Sequence, residues 1–172
     1  MVGQFQIYTG EGKGKTTAAL GLALRAAGAG LRVYIGQFVK NPDTSEAAAL
    51  RERFADRITL DVYGPAHFIT ASPSPAEVNA ARRGLAALRA ALTGGAYDVV
   101  IGDEALSACS AQLLPEAELL KLADERPAAV ELVLTGRGAG GALLARADLV
   151  TEMRAIRHYY ARGLQARRGI EF

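Results

Sequence analysis

The sequence predicts an α/β fold, a mostly parallel six-stranded sheet with helices on both faces, carried by one domain spanning residues 1–172. Three observations predict it. Short apolar runs alternate with Ala/Leu-rich stretches of helical period, and strands joined by helical crossovers form a parallel sheet. The first run breaks into a glycine-rich turn that opens a helix, the order of a phosphate-binding loop. A later run ends in acidic residues, at the edge of a parallel sheet where ligands gather.

In chain order, Phe5 to Tyr8 is the first strand and the first helix runs from Lys15 to Gly28. Between them Gly10, Gly12 and Gly14 let the backbone curl, so that several N–H groups share one concavity. The helix start adds unpaired N–H groups and the positive end of its dipole. Lys15 offers a point charge to phosphate oxygens, and Thr16 or Thr17 a hydroxyl to a phosphate-bound Mg²⁺. In the usual spacing the first glycine would fall on Thr9; here it comes one residue late, at Gly10, so the loop is a variant.

Leu31 to Phe38 reads as the second strand, Asn41-Pro42-Asp43 as a turn, Ser45 to Phe54 as a helix and Ile58 to Tyr63 as the third strand. Ala66 to Pro75 has no period and reads as an ordered loop. Pro75 starts a long amphipathic helix that Gly94-Gly95 stops near Leu92. Tyr97 to Glu104 is the fourth strand, Pro115 to Arg126 a helix ended by Pro127, and Val130 to Thr135 the fifth strand. A short helix follows Gly136-Arg137-Gly138, and Leu149 to Met153 is the sixth strand. Residues 154–172 form a basic C-terminal tail expected to dock along the domain and complete the nucleotide site.

Composition bounds the function. With 50% hydrophobic residues the chain fills a core, and no run of ~18 apolar residues is present to span a membrane. Met1 leads almost directly into the first strand without a secretory signal, and the single Cys109 forms no disulfide framework or Cys-rich zinc site, so a cytoplasmic protein is expected. A net charge of +2 is too small to argue for nucleic acid by itself, and no nucleic-acid partner is expected.

At the end of the fourth strand, Asp103 and Glu104 would face Lys15 and Thr16 and hold Mg²⁺ beside the phosphates; the alternative is an acidic N-cap to the next helix. Arg137 sits on the same rim, as a phosphate ligand or a surface arginine. His67 and His158 read as loop and structural residues, and Cys109 as a packed thiol. These residues license an ATP or GTP site without naming a reaction.

The chain resembles the ATP:corrinoid adenosyltransferases of cobalamin biosynthesis and salvage over nearly its whole length. The resemblance rests on Tyr8-Thr9-Gly10-Glu11-Gly12-Lys13-Gly14-Lys15-Thr16-Thr17, Gln37-Phe38-Val39-Lys40, Phe68-Ile69-Thr70, Asp103-Glu104 and Leu134-Thr135-Gly136-Arg137. It rests most on Ala147-Asp148-Leu149-Val150-Thr151-Glu152-Met153-Arg154 and the closing Gly169-Ile170-Glu171-Phe172. The resemblance implies a RecA-like P-loop fold. It also implies transfer of the 5′-deoxyadenosyl group of ATP to cobalt(I) of a corrinoid, cobalamin or a precursor, with release of triphosphate. Gly10, Gly12, Lys13, Gly14, Lys15, Thr16, Thr17 and Arg137 are then the nucleotide ligands, and Thr16, Asp103 and Glu104 hold Mg²⁺ or Mn²⁺. Lys15, Thr16 and Phe68 are the catalytic residues, Phe68 as an aromatic wedge in the place of cobalt's lower axial ligand. A homodimer and a flavoprotein reductant are the implied partners. Two readings stay open beside it: a P-loop ATPase or kinase, and an ATP-dependent corrinoid-binding module. Where the family usually has Leu before the acidic pair this chain has Gly102, expected to loosen the strand end, and Ser107 to Ala111 is smaller and more polar than expected.

Reduction of cobalt(II) is hard while a lower axial ligand donates electron density. Phe68→Ala is therefore expected to slow turnover strongly from cobalt(II) with a mild protein reductant, and much less from cobalt(I) made chemically. Equal losses in the two assays would make Phe68 a packing or binding residue.

Overall fold

The computed structural model describes residues 2–40, 44–64 and 72–172. The turn at 41–43 and residues 65–71, which include His67, Phe68 and Thr70, lie outside the described residues. The elements are β1 (Phe5–Thr9), α1 (Lys15–Gly28), β2 (Val33–Gln37), α2 (Ser45–Arg53), β3 (Ile58–Val62), α3 (Pro75–Thr93), β4 (Val99–Asp103), α4 (Ala105–Ser110), α5 (Glu116–Asp124), β5 (Glu131–Thr135), α6 (Gly141–Arg146) and β6 (Leu149–Glu152). The strands form one sheet in the order β3-β2-β4-β5-β1-β6, with every neighbouring pair parallel. The expected parallel sheet with helices on both faces is present. One strand, β5, separates β1, which feeds the glycine loop, from β4, which ends in Asp103.

Alternation along the strands feeds two cores. Val33, Ile35, Val99, Ile101 and Val133 pack under α1 and α2, where Ala19, Ala23, Ala26 and Ala27 let α1 lie close to the sheet. Phe5, Ile7, Tyr34, Val100, Leu132 and Leu134 face the layer of α3 to α6. Helix α3 begins with a reciprocal capping box, in which Ser74 Oγ accepts from Glu77 N and Glu77 Oε2 accepts from Ser74 N, with Pro75 at its first turn.

Two expectations change. Glu104 does not extend β4. At φ 60° it turns the chain out of the sheet and stands at the N-cap position of α4, with no capping bond from its side chain. Gly102 does not loosen the strand end. It pairs with Gly36 on β2, and Leu88 of α3 settles over both glycines. A Cβ on Gly102 would lie 2.8 Å from Leu134 Cδ2 and 3.1 Å from Leu88 Cδ2, so neighbouring side chains already fill the space. Tight packing, with no slack, is what this glycine provides.

After β6 the chain folds back over the carboxyl edge of the sheet. His158 Nδ1 accepts from Tyr160 N and starts a short 3₁₀ turn at Tyr159–Arg162. Arg167 lies over the Tyr159 ring, 5.1 Å from its centre, and pairs with Glu171, whose carboxylate also accepts from Tyr159 Oη. The end docks through Lys13 Nζ, which donates to the Ile170 carbonyl at 2.9 Å, and Ser45 Oγ, which donates to the Phe172 carbonyl at 3.1 Å.

Hydrogen bonds from Arg167 and then Tyr159 hold the Glu171 carboxyl down to about 2. A carboxyl lowered in the folded chain adds stability above the ordinary carboxylate range, about 4.3, and that stability is lost as pH falls toward the folded value. An NMR titration of the Glu171 side chain is expected to show a midpoint near 2, moving up in Arg167→Ala. A midpoint in the ordinary range for the parent chain would mean that the tail network does not form in solution.

Candidate functional site

The glycine loop is shaped by β6. Gly12 N donates to the Met153 carbonyl at 2.6 Å, and Met153 N donates to the Thr9 carbonyl at 2.8 Å. A Cβ on Gly10 would fall 2.5 Å from Met153 O, and one on Gly12 2.7 Å from the same atom. These two glycines therefore serve close backbone approach, and the Glu152–Arg154 stretch, continuing the β6 strand that holds Thr151 beside Tyr8, is the surface that the loop lies against. Gly14, at φ 119°, turns the chain into α1, which starts with no side-chain cap and no acidic residue in its first turn. Its first N–H groups thus face the rim free of any side-chain cap, as an anion site requires. Lys15 is buried and reaches back, with Nζ donating to the carbonyls of Gly10 at 2.6 Å and Gly12 at 2.8 Å. Burial is the main cause of its lowered pKa, against which Glu104 pulls upward.

Beneath the loop lies Asp103, fully buried. Its Oδ1 accepts from Thr16 Oγ1 at 2.9 Å and Thr135 Oγ1 at 2.7 Å. Its Oδ2 accepts from Gln37 Nε2 at 3.0 Å and pairs with Lys40 Nζ at 2.9 Å. A carboxylate has about four lone-pair positions, and all are used here. Lys40 Nζ also donates to Thr16 Oγ1 at 2.8 Å. The Thr16 hydroxyl thus gives its proton to Asp103 and accepts from Lys40, and one lone pair remains.

Glu104 follows. Its N–H donates to Thr135 Oγ1 at 2.9 Å, and its Oε2 accepts from Ser107 Oγ at 2.5 Å. Ser107 Oγ in turn accepts from Arg137 N at 3.0 Å, which ties the loop after β5 to the acidic turn. Gly136 is required there, because a Cβ would lie 2.5 Å from Ser107 N. The Arg137 guanidinium reaches across the rim to Glu11 at 3.1 Å.

These parts enclose a cavity of about 540 Å³. Its cations include Lys13, Lys40 and Arg137, and its apolar wall includes Leu20, Ile170 and Phe172, the last two from the docked tail. Gly12, Lys13, Gly14, Lys15, Thr16, Thr17, Glu104 and Arg137 all line it. Gly10 contributes only its carbonyl to Lys15, and Asp103 acts from below. Phe68 lies outside the described residues. Lys40, Gln37, Thr135 and Ser107 stood in stretches that the sequence reading quoted, but none was named there as a site residue. Gln37 and Thr135 end strands on the ligand-bearing edge, with Lys40 three residues beyond β2, and were legible in principle; Ser107 showed only as a departure from the family's pattern. Burial pushes the Cys109 thiol up to about 12, so no thiolate is present at neutral pH.

A divalent metal fits the donor chemistry. Among the described residues no cluster of three or more His, Cys, Asp or Glu side chains could hold one alone. The Thr16 hydroxyl and the Glu104 carboxylate are hard oxygens on the cavity wall, and Mg²⁺ is commonly held by one or two protein oxygens with substrate phosphates. Gln37 Oε1, beside Asp103, is buried without a hydrogen-bond partner, so an acceptor stands free beneath the cavity.

No helix among the described residues is long and apolar enough to cross a membrane. The family model for ATP:corrinoid adenosyltransferase BtuR/CobO/CobP matches residues 1–172. A corrinoid adenosyltransferase of Escherichia coli K12 is 31% identical over 96% of this chain and 84% of its own length. The corrinoid adenosyltransferase of Pseudomonas aeruginosa is 29% identical over 99% of this chain and 84% of its own. A corrinoid adenosyltransferase named CobA, of Salmonella typhimurium, is 31% identical over 96% and 84%. With the glycine loop, the acidic strand end and the Glu152–Arg154 support in one constellation, the chain belongs to the ATP:corrinoid adenosyltransferase family, transferases that adenosylate corrinoids with ATP.

Proposed function

We propose that this chain transfers the 5′-deoxyadenosyl group of ATP to cobalt(I) of a corrinoid and releases triphosphate, in adenosylcobalamin synthesis or salvage. The observation that carries this reading is the cavity itself. It joins an uncapped helix start and several cations to an apolar wall from the tail, a place for triphosphate beside a place for adenosine. Cobalt(I) is the nucleophile: its electron pair forms the bond to C5′, and the C5′–O bond breaks with its pair passing to the triphosphate. The protein needs no nucleophile or base for this step, and Asp103, with every acceptor position used, is not available as a base toward water. Its tasks are to aim C5′ and to stabilise charge on the leaving group.

In this reading the loop N–H groups, Lys13, Lys15 and Thr17 bind the triphosphate, and Arg137 leaves Glu11 to join them. Thr16 and Glu104 hold Mg²⁺ or Mn²⁺, and Asp103 orients the Thr16 hydroxyl instead of touching the metal. The metal, when bound, neutralises triphosphate charge. Phe68 serves the corrin side as a wedge. A homodimer, a flavoprotein reductant and a cytoplasmic setting belong to the same reading.

Phosphorus NMR of ATP with reduced corrinoid and this protein is expected to show triphosphate. ADP with phosphate would make the protein an ATPase or kinase, and unchanged ATP a binding module. Lys15→Ala is expected to cost about 2–4 kcal/mol of transition-state stabilisation, read as a fall in kcat/KM. Unchanged turnover would mean that the loop is only a turn.

A further inference from the structure

Lys40 is the cation that the reading above leaves without a task. It stands just beyond β2, and the residue before it, Val39, has φ 47°. A β-branched residue in this region is a genuine outlier, kept only where the surrounding structure holds it there. The bend is held from the other side by Gly64, where a Cβ would lie 2.3 Å from Lys40 N and 2.7 Å from Val39 N. Strained backbone and close approach together aim the Lys40 side chain at the sheet edge. There Nζ meets Thr16 Oγ1 at 2.8 Å and Asp103 Oδ2 at 2.9 Å. An ammonium has three donors. Two are engaged, the third has no partner among the described residues, and the 19% exposed side chain lines the cavity.

We propose that Lys40 is a triphosphate ligand, whose third N–H donates to a phosphate oxygen while the other two hold Thr16 and Asp103. The bound anion is then tied directly to the buried carboxylate that fixes the loop helix, so the charge of the leaving group and the position of Thr16 are set by one ammonium. This rests on the cavity being the ATP site. A bland alternative gives Lys40 only the duty of neutralising Asp103.

Paired variants separate the two. Calorimetric titration with inorganic tripolyphosphate and with adenosine, at constant Mg²⁺, compares Lys40→Met with the parent and Lys40→Met/Asp103→Asn with Asp103→Asn. The second pair removes the buried charge that Lys40→Met alone would strand and holds any effect of Asp103 on Thr16 constant, and thermal unfolding checks that each variant folds. Each Lys40 variant is expected to bind tripolyphosphate about ten- to hundredfold more weakly than its reference, the scale of a lost charged hydrogen bond, with adenosine affinity unchanged. Equal tripolyphosphate binding by the double variant and Asp103→Asn would overturn the proposal in favour of simple neutralisation. An equal loss for adenosine would overturn it too, as damage to the pocket. If the parent itself binds neither probe, the ATP-site reading falls and this inference with it; if only the variants match the parent, Lys40 alone is wrong.

Discussion

The structure depends most on one buried carboxylate. Asp103 receives Thr16 from α1, Gln37 from the end of β2, Lys40 from just beyond it, and Thr135 from β5, so three neighbouring elements are registered to the end of β4 through it. Moving an ion out of water costs several kcal/mol, and only a paired and fully hydrogen-bonded carboxylate recovers that cost. Here the Lys40 ammonium balances the charge and all acceptor positions are filled. Such a cluster has little freedom: a shift of α1 by a fraction of an ångström would break a bond at its centre. What rests on it is the position of one hydroxyl, that of Thr16.

The second constraint is backbone on backbone. The glycine loop lies between α1 and the end of β6, and the carbonyl of Met153 occupies the space that side chains at positions 10 and 12 would need. Together the two constraints present a row of N–H groups and cations to an open cavity before any ligand arrives, which is how preorganised sites favour developing negative charge. The tail closes the same cavity from the other side, using Lys13 of the loop itself as an anchor. Loop, sheet edge and tail therefore respond to one another through short contacts. A reaction whose nucleophile comes with the substrate asks for this kind of scaffold, rich in positioning groups and sparing in acid–base machinery.

Much of this was legible in the sequence. Strand and helix periods were strong because both faces of a parallel sheet must be apolar, and glycine spacing marked the loop because only glycine tolerates that curvature and that close approach. The acidic end of β4 was legible as a place, but its division of labour was not. Whether Asp103 or Glu104 is left free is decided by partners from β2 and β5 that are distant in sequence. Gly102 misled for a related reason: its meaning lies in Leu88 and Leu134, which no local pattern reveals. Lys40 stood in a stretch that resembled the family, yet its task follows from a bend at Val39 that composition does not announce.

Asp103 is an anchor, saturated by protein, that leaves the Thr16 hydroxyl with one lone pair toward the cavity. Anomalous diffraction from crystals grown with ATP and Mn²⁺ tests it most directly. A manganese peak is expected within bonding distance of Thr16 Oγ1, with Glu104 as the protein carboxylate nearest to it and Asp103 still held by Lys40 and Thr135. A peak bonded to the Asp103 carboxylate, with Lys40 displaced, would contradict it.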